Sequence, residues 1–332
     1  MTKTHDTFPS KTRLEEAEDE ALTEALGERR ELDEKRPFLE QRAKIIQSIR
    51  EFWGNQEFLE VETPLRIRAP APEEHIDAEP SGDRFLITSP ELHMKRMLAA
   101  GYRSLFQICH CFRKGERGDL HLPEFTMIEW YRAGAGVEAL MLDCENLVGH
   151  LAKAVPCYPK VTWDGHPVDL TPPWERITVA EAFQKYAGWS PGPRPDPDSF
   201  DLDLVEKVEP GLSGHSKPVF LTDYPASMAA LARLCPTAPG IAERFELYIG
   251  GLELANAFAE LTDAGEQRRR FLEEAKRREQ AKKHVYPIDE TFLQTMALGM
   301  EPCAGIALGV DRLVMLLAGA KTIDQIVAFA TP

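Results

Sequence analysis

Phe112-Arg113-Lys114-Gly115-Glu116 closes one apolar run of this chain, and His121-Leu122-Pro123-Glu124-Phe125-Thr126-Met127-Ile128-Glu129-Trp130-Tyr131 opens the next. An arginine leaves the first run, a short polar loop turns the chain, and the second run carries an aromatic and a carboxylate. That layout suits two antiparallel strands holding a nucleotide between them. An arginine forks onto a phosphate, an aromatic such as Phe125 covers a base, and Glu129 and Tyr131 share one face at period two. A second piece lies far downstream. Gly305-Ile306-Ala307-Leu308-Gly309-Val310-Asp311-Arg312-Leu313 reads as a glycine-rich strand entering a helix with another arginine.

The sequence between and around these pieces sets the fold class. Leu39, Ala43, Ile46, Ile49 and Phe52 have helical spacing, so a helix is expected to about Trp53. Gly54-Asn55 stops it, and Phe58 to Pro64 reads as a strand ending in proline. A strand at Phe85–Thr88, a helix from Pro90 and a helix near Val137–Val155 follow. Strands are expected again at Val219–Thr222, Arg244–Leu252 and Glu253–Leu261. Residues 156–215 are rich in Pro and Asp, which predicts a loop-rich insertion. Arg268–Lys283 carries eight Lys or Arg against three Glu and reads as an exposed helix. Strands and helices mix without regular βαβ alternation, which favours an α+β fold around an antiparallel sheet. Residues 1–36 are polar and Glu-rich and read as an acidic arm, helical or partly disordered, ahead of one catalytic domain over 37–332.

Composition narrows the function. Of 332 residues, 39 are Lys or Arg and 54 are Asp or Glu, a net charge of −15. That surface repels a polynucleotide overall, which counts against a large nucleic-acid partner but leaves room for a local basic patch. Six scattered cysteines form no disulfide framework. Cys109-His110-Cys111 lacks a second paired cluster and sits in an apolar, strand-like run, so no metal role is assigned to it. No stretch reaches the length of a membrane span, and the polar N-terminus lacks the apolar core of a signal peptide. The expected location is cytoplasmic.

The two arginine pieces, in that order, resemble motifs 2 and 3 of class II aminoacyl-tRNA synthetases. The helix–strand–proline piece resembles motif 1, which in that family builds a homodimer interface. From about Arg36 to the C-terminus the chain resembles lysyl-tRNA synthetases and, more closely, their short paralogues, the elongation factor P–(R)-β-lysine ligases. The strings that carry this are Thr88-Ser89-Pro90-Glu91-Leu92-His93-Met94-Lys95-Arg96, Pro123 to Tyr131, and Gly251-Leu252-Glu253-Leu254-Ala255-Asn256-Ala257-Phe258-Ala259-Glu260-Leu261.

The resemblance implies ATP and Mg2+ as cofactors. It places Arg113 on the α-phosphate and Arg312 on the γ-phosphate, Phe125 on the adenine, His121 near the phosphates, and Glu246 and Glu253 on the metal. Arginine suits both phosphate posts because its charge is permanent and its donors form a fixed fork. Ser89, Glu91, Glu129, Tyr131, Asn256, Phe258, Glu260 and Ala307 fall to the amino acid. Glu91 would meet the amine near the carboxylate, and Glu260 with Tyr131 the distal ammonium. Carboxylates so placed repel one another unless a cation joins them, which points to lysine or a lysine isomer.

Four positions depart from the synthetase pattern. Gly115 stands where glutamate is usual, which passes base recognition to Glu116 or to backbone. Leu122 replaces Asn and Ala257 replaces Gly. Ala307 matches the alanine of the β-lysine ligases rather than the glycine of the synthetases. Residues 1–36 are too few and too acidic for the OB-fold that reads an anticodon, so no tRNA partner is expected. The expectation is therefore transfer of activated (R)-β-lysine to a lysine side chain of elongation factor P. Activation of α-lysine for tRNA or a small amine is the principal alternative, ahead of an asparagine synthetase or a non-catalytic paralogue.

Overall fold

The computed structural model describes residues 11–155 and 157–330, with side chains from residue 21 onward. The first ten residues of the expected arm lie outside the described residues. The chain opens with one helix, α1 (Lys11–Gly54), that runs straight through Pro37. No backbone break marks the expected boundary at residue 36; the change there is in packing. Leu22 and Leu26 are exposed, whereas Ile45, Ile49 and Trp53 are fully buried. Before Pro37 the helix is supported by pairs one turn apart, such as Arg30–Glu34 and Lys35–Glu31.

The remaining main elements follow in order. They are β1 (Leu59–Glu60), α2 (Glu91–Ala99), β2 (Ser104–Phe112), β3 (Glu124–Ala133), α3 (Val137–Ala154), β4 (Glu175–Thr178) and α4 (Val179–Tyr186). Then come β5 (Val219–Pro225), β6 (Ala238–Ile249), β7 (Leu252–Ala259), α5 (Ala264–Gln280), α6 (Glu290–Ala297), β8 (Cys303–Gly309) and α7 (Val310–Ala318). The strands form one sheet in the order β1-β2-β3-β8-β7-β6-β5-β4, with the short strand Leu234–Cys235 beside β6. The central pairs are antiparallel; β1 and β4 join the two edges parallel. The fold is thus α+β around a mainly antiparallel sheet.

Period two divides the sheet into two faces. Phe106, Ile128, Trp130, Phe245, Leu247, Ala257, Ile306 and Leu308 point to one side, where α1, α3 and α7 close the main core. Their neighbours Gln107, Glu129, Tyr131, Asn256, Phe258, Glu246 and Ala307 point to the other. That second face is rimmed by α2, α4, α5 and α6 around a separate cluster including Leu92, Phe183, Phe200, Leu221, Phe271 and Phe292.

Two sequence expectations change here. The stretch expected as a loop-rich insertion holds a hairpin (Lys160–Trp163 with His166–Asp169), strand β4, helix α4 and the helices Pro197–Asp203 and Glu209–Leu212. Its prolines do not break these elements. Pro197 opens a helix at a position where no N–H is needed, and Asp196 caps the same turn by accepting from the Ser199 N–H at 3.0 Å. The basic helix is likewise less exposed than its charge suggests. Phe271 and Gln267 are buried, and Arg278 is fully so. Arg278 donates to the carbonyls of Glu73 (2.6 Å), Ile76 (2.9 Å) and His284 (2.7 Å) and pairs with Asp77 at 2.5 Å. It binds α5 to the segment 73–77, where the Lys114 N–H, just after Arg113, donates to the Asp77 carbonyl.

Candidate active site

The arginines of the two quoted stretches meet on the second face of the sheet. Arg113 leaves the end of β2, its guanidinium 5.1 Å from the centre of the Phe125 ring. Among the described residues its buried Nε has no hydrogen-bond partner and the guanidinium has one ion pair, with Glu116, long at 3.8 Å. A buried guanidinium nitrogen without an acceptor is costly unless an anion supplies one. Gly115, in the loop between, has φ +79° and nothing within 4 Å of where a Cβ would sit. Backbone conformation, not space, requires glycine there. The usual glutamate would be strained at this turn.

Arg312 enters from the first turn of α7. It donates to the Glu253 carbonyl at 2.8 Å, to the Glu253 carboxylate at 3.3 Å and to His121 Nε2. Burial, then Arg312 and Arg113, push the His121 pKa down to about 4, so its ring is neutral and accepts from Arg312. Asp311, one residue earlier, faces backwards. It pairs with Arg42 of α1 at 2.5 Å and accepts the Thr126 N–H at 2.9 Å. One buried carboxylate therefore ties α1, β3 and α7 together behind the site.

The two expected metal ligands lie on adjoining strands. Glu246 and Asn256 are paired across β6 and β7, but Glu253 is three residues from Asn256 and would ordinarily face the core. A register shift intervenes: Leu247 pairs with Ala255 and Tyr248 with Glu253. Leu254 and Ala255 both turn into the main core, which brings Glu253 round to the site face. Glu246 is already engaged, accepting from Arg244 (2.6 Å), Tyr224 (2.5 Å) and Tyr248 (2.7 Å). Burial and Glu246 raise the Glu253 pKa, and Glu209, from the 157–215 stretch, is pushed up to about 7 by burial, Glu253 and Glu246. Two carboxylates suit an octahedral ion that keeps water and borrows phosphate oxygens. Among the described residues no group of three or more His, Cys, Asp or Glu forms a fuller metal cage.

The second carboxylate set lies beside this on the same face. Glu129 accepts from Ser89 Oγ at 2.6 Å and Tyr131 OH at 2.7 Å. Burial, then Glu91, raise its pKa to about 8. Glu260, just past the end of β7, is 1 % exposed and neither of its oxygens has an aligned hydrogen-bond donor among the described residues. Ala307 lies between Glu129 and Asn256 in the ladder, and Gly305 between Tyr131 and Phe258. Asn256 Oδ1 accepts from Arg244 at 3.1 Å, and Phe258 flanks the same guanidinium at 5.9 Å. All fifteen expected site residues thus fall into two adjoining groups, one around Arg113 and Arg312 and one around Glu91, Glu129 and Glu260.

Several residues here carried no usable signal in the sequence. Arg244, Tyr224 and Tyr248 hold Glu246, and Glu73 approaches Arg113 and Glu91 with its pKa pushed up to about 7 by burial. Lys95 is the clearest case. It was part of a quoted string, yet only the fold shows it wholly buried with Nζ 2.5 Å from both Glu91 and Glu260.

The family model for class II tRNA synthetases of the D, K and N type matches residues 27–332. The chain is 39 % identical over 305 residues to the elongation factor P–(R)-β-lysine ligase of Sodalis glossinidius (strain morsitans), covering 87 % of this chain and 93 % of that protein. It belongs to the class II synthetase family. The enzyme of the same name from Salmonella gallinarum is 39 % identical, with 88 % and 94 % covered, and that from Avibacterium paragallinarum 36 % identical, with 87 % and 94 % covered. Membership accounts for the mainly antiparallel sheet flanked by helices. Among the described residues no helix is long and apolar enough to cross a membrane.

Proposed function

We propose that this chain is an AMP-forming ligase that activates (R)-β-lysine with ATP and passes it to a lysine side chain of elongation factor P. The relatives' shared name supports the acceptor and the amino acid. What carries the chemistry is one juxtaposition: Arg113, its buried Nε unpartnered among the described residues, stands beside a buried set of carboxylates on the same sheet face. The first suits a triphosphate and the second a polyamine-like amino acid.

In the first step a carboxylate oxygen of the amino acid attacks the α-phosphorus, and the bond to the leaving pyrophosphate breaks. Negative charge builds on the α-phosphate, where Arg113 stabilises it without reorganising. Arg312, oriented by Glu253 and neutral His121, meets the γ-phosphate, while Phe125 and Glu116 take the base. Glu246 and Glu253 would hold Mg2+, which neutralises phosphate charge when bound. Ser89, Glu91, Glu129, Tyr131, Asn256, Phe258, Glu260 and Ala307 hold the amino acid with its carboxylate toward Arg113. In the second step a deprotonated lysine ε-amine attacks the acyl carbon, an amide forms, and AMP leaves.

ATP–pyrophosphate exchange with (R)-β-lysine and α-lysine side by side tests the first step, and intact-mass analysis of elongation factor P the second. The expected result is faster exchange with (R)-β-lysine and one added β-lysyl group. Exchange with neither amino acid, or preference for α-lysine, would overturn the reading.

A further inference from the structure

We infer that Lys95 is a positioning and specificity-determining residue: a counter-ion built into the acidic pocket, leaving there two negative charges that match a substrate with two ammonium groups. The inference rests on the function proposed above and names the feature that counts the substrate's charge.

Glu91 and Lys95 stand four apart on α2, an arrangement that on an open helix is only a minor stabilising pair. Two observations set this one apart. Lys95 is 0 % exposed, and a second carboxylate, Glu260, reaches it from a different element. A lysine so enclosed loses its hydration and persists charged only against close anions. Burial opposes its charge, but Glu260 and Glu91 outweigh burial and raise its pKa. The partners are pulled differently. Burial, Glu91 and Glu129 drive Glu260 toward its neutral form more strongly than Lys95 holds it ionised. Both shifts describe one condition: the empty pocket has too few cations for its carboxylates.

Once a cationic substrate keeps all three ionised, Glu91, Glu129 and Glu260 set three carboxylates against the one ammonium of Lys95, so two charges are left for the substrate to match. The substrate-ready acceptors follow from the same contacts. Both Glu129 oxygens are taken by Ser89 and Tyr131, and Lys95 sits against Glu91 Oε1 and Glu260 Oε2. Glu260 Oε1 stays buried without a donor among the described residues, and Glu91, at 13 % exposure, keeps the most access of the three. Lys95 thereby holds two carboxylates in place by one oxygen each and leaves the other of each for a ligand. A monoammonium amino acid would leave one charge buried and unpaired, which the pocket disfavours.

The titratable and charged groups around Lys95 and its two partners are Glu91 on its own helix, Glu73 beside Glu91, Glu129 and Tyr131 on β3, Glu260 after β7, Cys303 on β8, and Arg233 and Glu301 near Cys303. Burial lifts the Cys303 thiol to about 12 and the Tyr131 phenol well above its usual value, so the carboxylates dominate titration near neutrality.

The test is the pH dependence of KM for (R)-β-lysine in ATP–pyrophosphate exchange, with K95Q, E91Q and the double variant E91Q/K95Q. Losing Lys95 makes ionisation of the remaining carboxylates harder, so the KM midpoint of K95Q moves to higher pH, by about one unit. E91Q removes a negative charge and moves the midpoint down. The double variant keeps two net negative charges, so its midpoint returns to the wild-type pH even if KM stays high. A lysine with only a structural role would lower activity without moving any midpoint. A K95Q midpoint equal to wild type overturns the inference. If K95Q does not fold by circular dichroism, a double-variant midpoint away from wild type overturns it instead. Wild-type enzyme inactive with (R)-β-lysine but active with another diamino acid refutes the proposed substrate alone, and the same series is then read with that amino acid.

Discussion

Replacing Gly305 by alanine puts the geometry of the acidic pocket to a direct test. Gly305 lies in β8 opposite Tyr131 and Phe258. A methyl group there would fall well inside 3.0 Å of the Tyr131 ring carbons Cδ1 and Cε1 and of Glu260 Oε1. Carbon atoms rest at about 3.5–4.0 Å, so the ring must retreat by roughly 1 Å. It has no open side: Tyr131 is 2 % exposed, and its hydroxyl is anchored on Glu129. Overpacking of this kind costs about 1–3 kcal/mol, which a domain stable by about 5–15 kcal/mol survives. The larger effect falls on the substrate. A misplacement of about 1 Å costs about 100-fold in rate, or about 2.7 kcal/mol at about 1.36 kcal/mol per tenfold. G305A is therefore expected to fold and to bind ATP as the wild type does, with kcat/KM for the amino acid in ATP–pyrophosphate exchange about 100-fold lower. A folded G305A variant with wild-type kcat/KM would refute both the placement of Tyr131 and Glu260 and the reasoning from it.

Two further outcomes follow from buried carboxylates. D311N leaves Arg42 half-enclosed without its partner, and denaturant unfolding is expected to show a loss of about 3 kcal/mol; stability equal to wild type would mean that this link between α1 and the site is dispensable. Burial, then Glu91, raise the folded pKa of Glu129 from its usual 4.5 to about 8. Such a group favours the fold while protonated, so its contribution is complete below pH 4.5 and is lost as pH rises toward 8. The melting temperature of the substrate-free protein should fall across that window more steeply than that of E129Q, and equal slopes would contradict the burial argument.

Much of this site was legible along the chain because a strand repeats every two residues. Glu129 with Tyr131, and Asn256 with Phe258 and Glu260, fall on one face as soon as their segments are read as strands. Glu253 shows where that reading ends. Its spacing from Asn256 is odd, and only the register shift at Leu254–Ala255 turns it toward Arg312. The 156–215 stretch misled because prolines that open helices look, in composition, like prolines that prevent them. Arg278 misled because a run of basic residues does not say which one meets backbone carbonyls from segment 73–77.

The sequence by itself determined the α+β sheet, through local periodicity, and its resemblance to a known family picked out the two arginine motifs and the carboxylates expected around the amino acid. Only the tertiary structure decided how those charges are balanced. Lys95 is one more basic residue on a short helix until Glu260, 165 positions later in the chain, is folded against it. Whether an ionised group is a surface charge or a buried counter-ion depends on desolvation and on partners that are distant in sequence, and neither exists before the chain is packed.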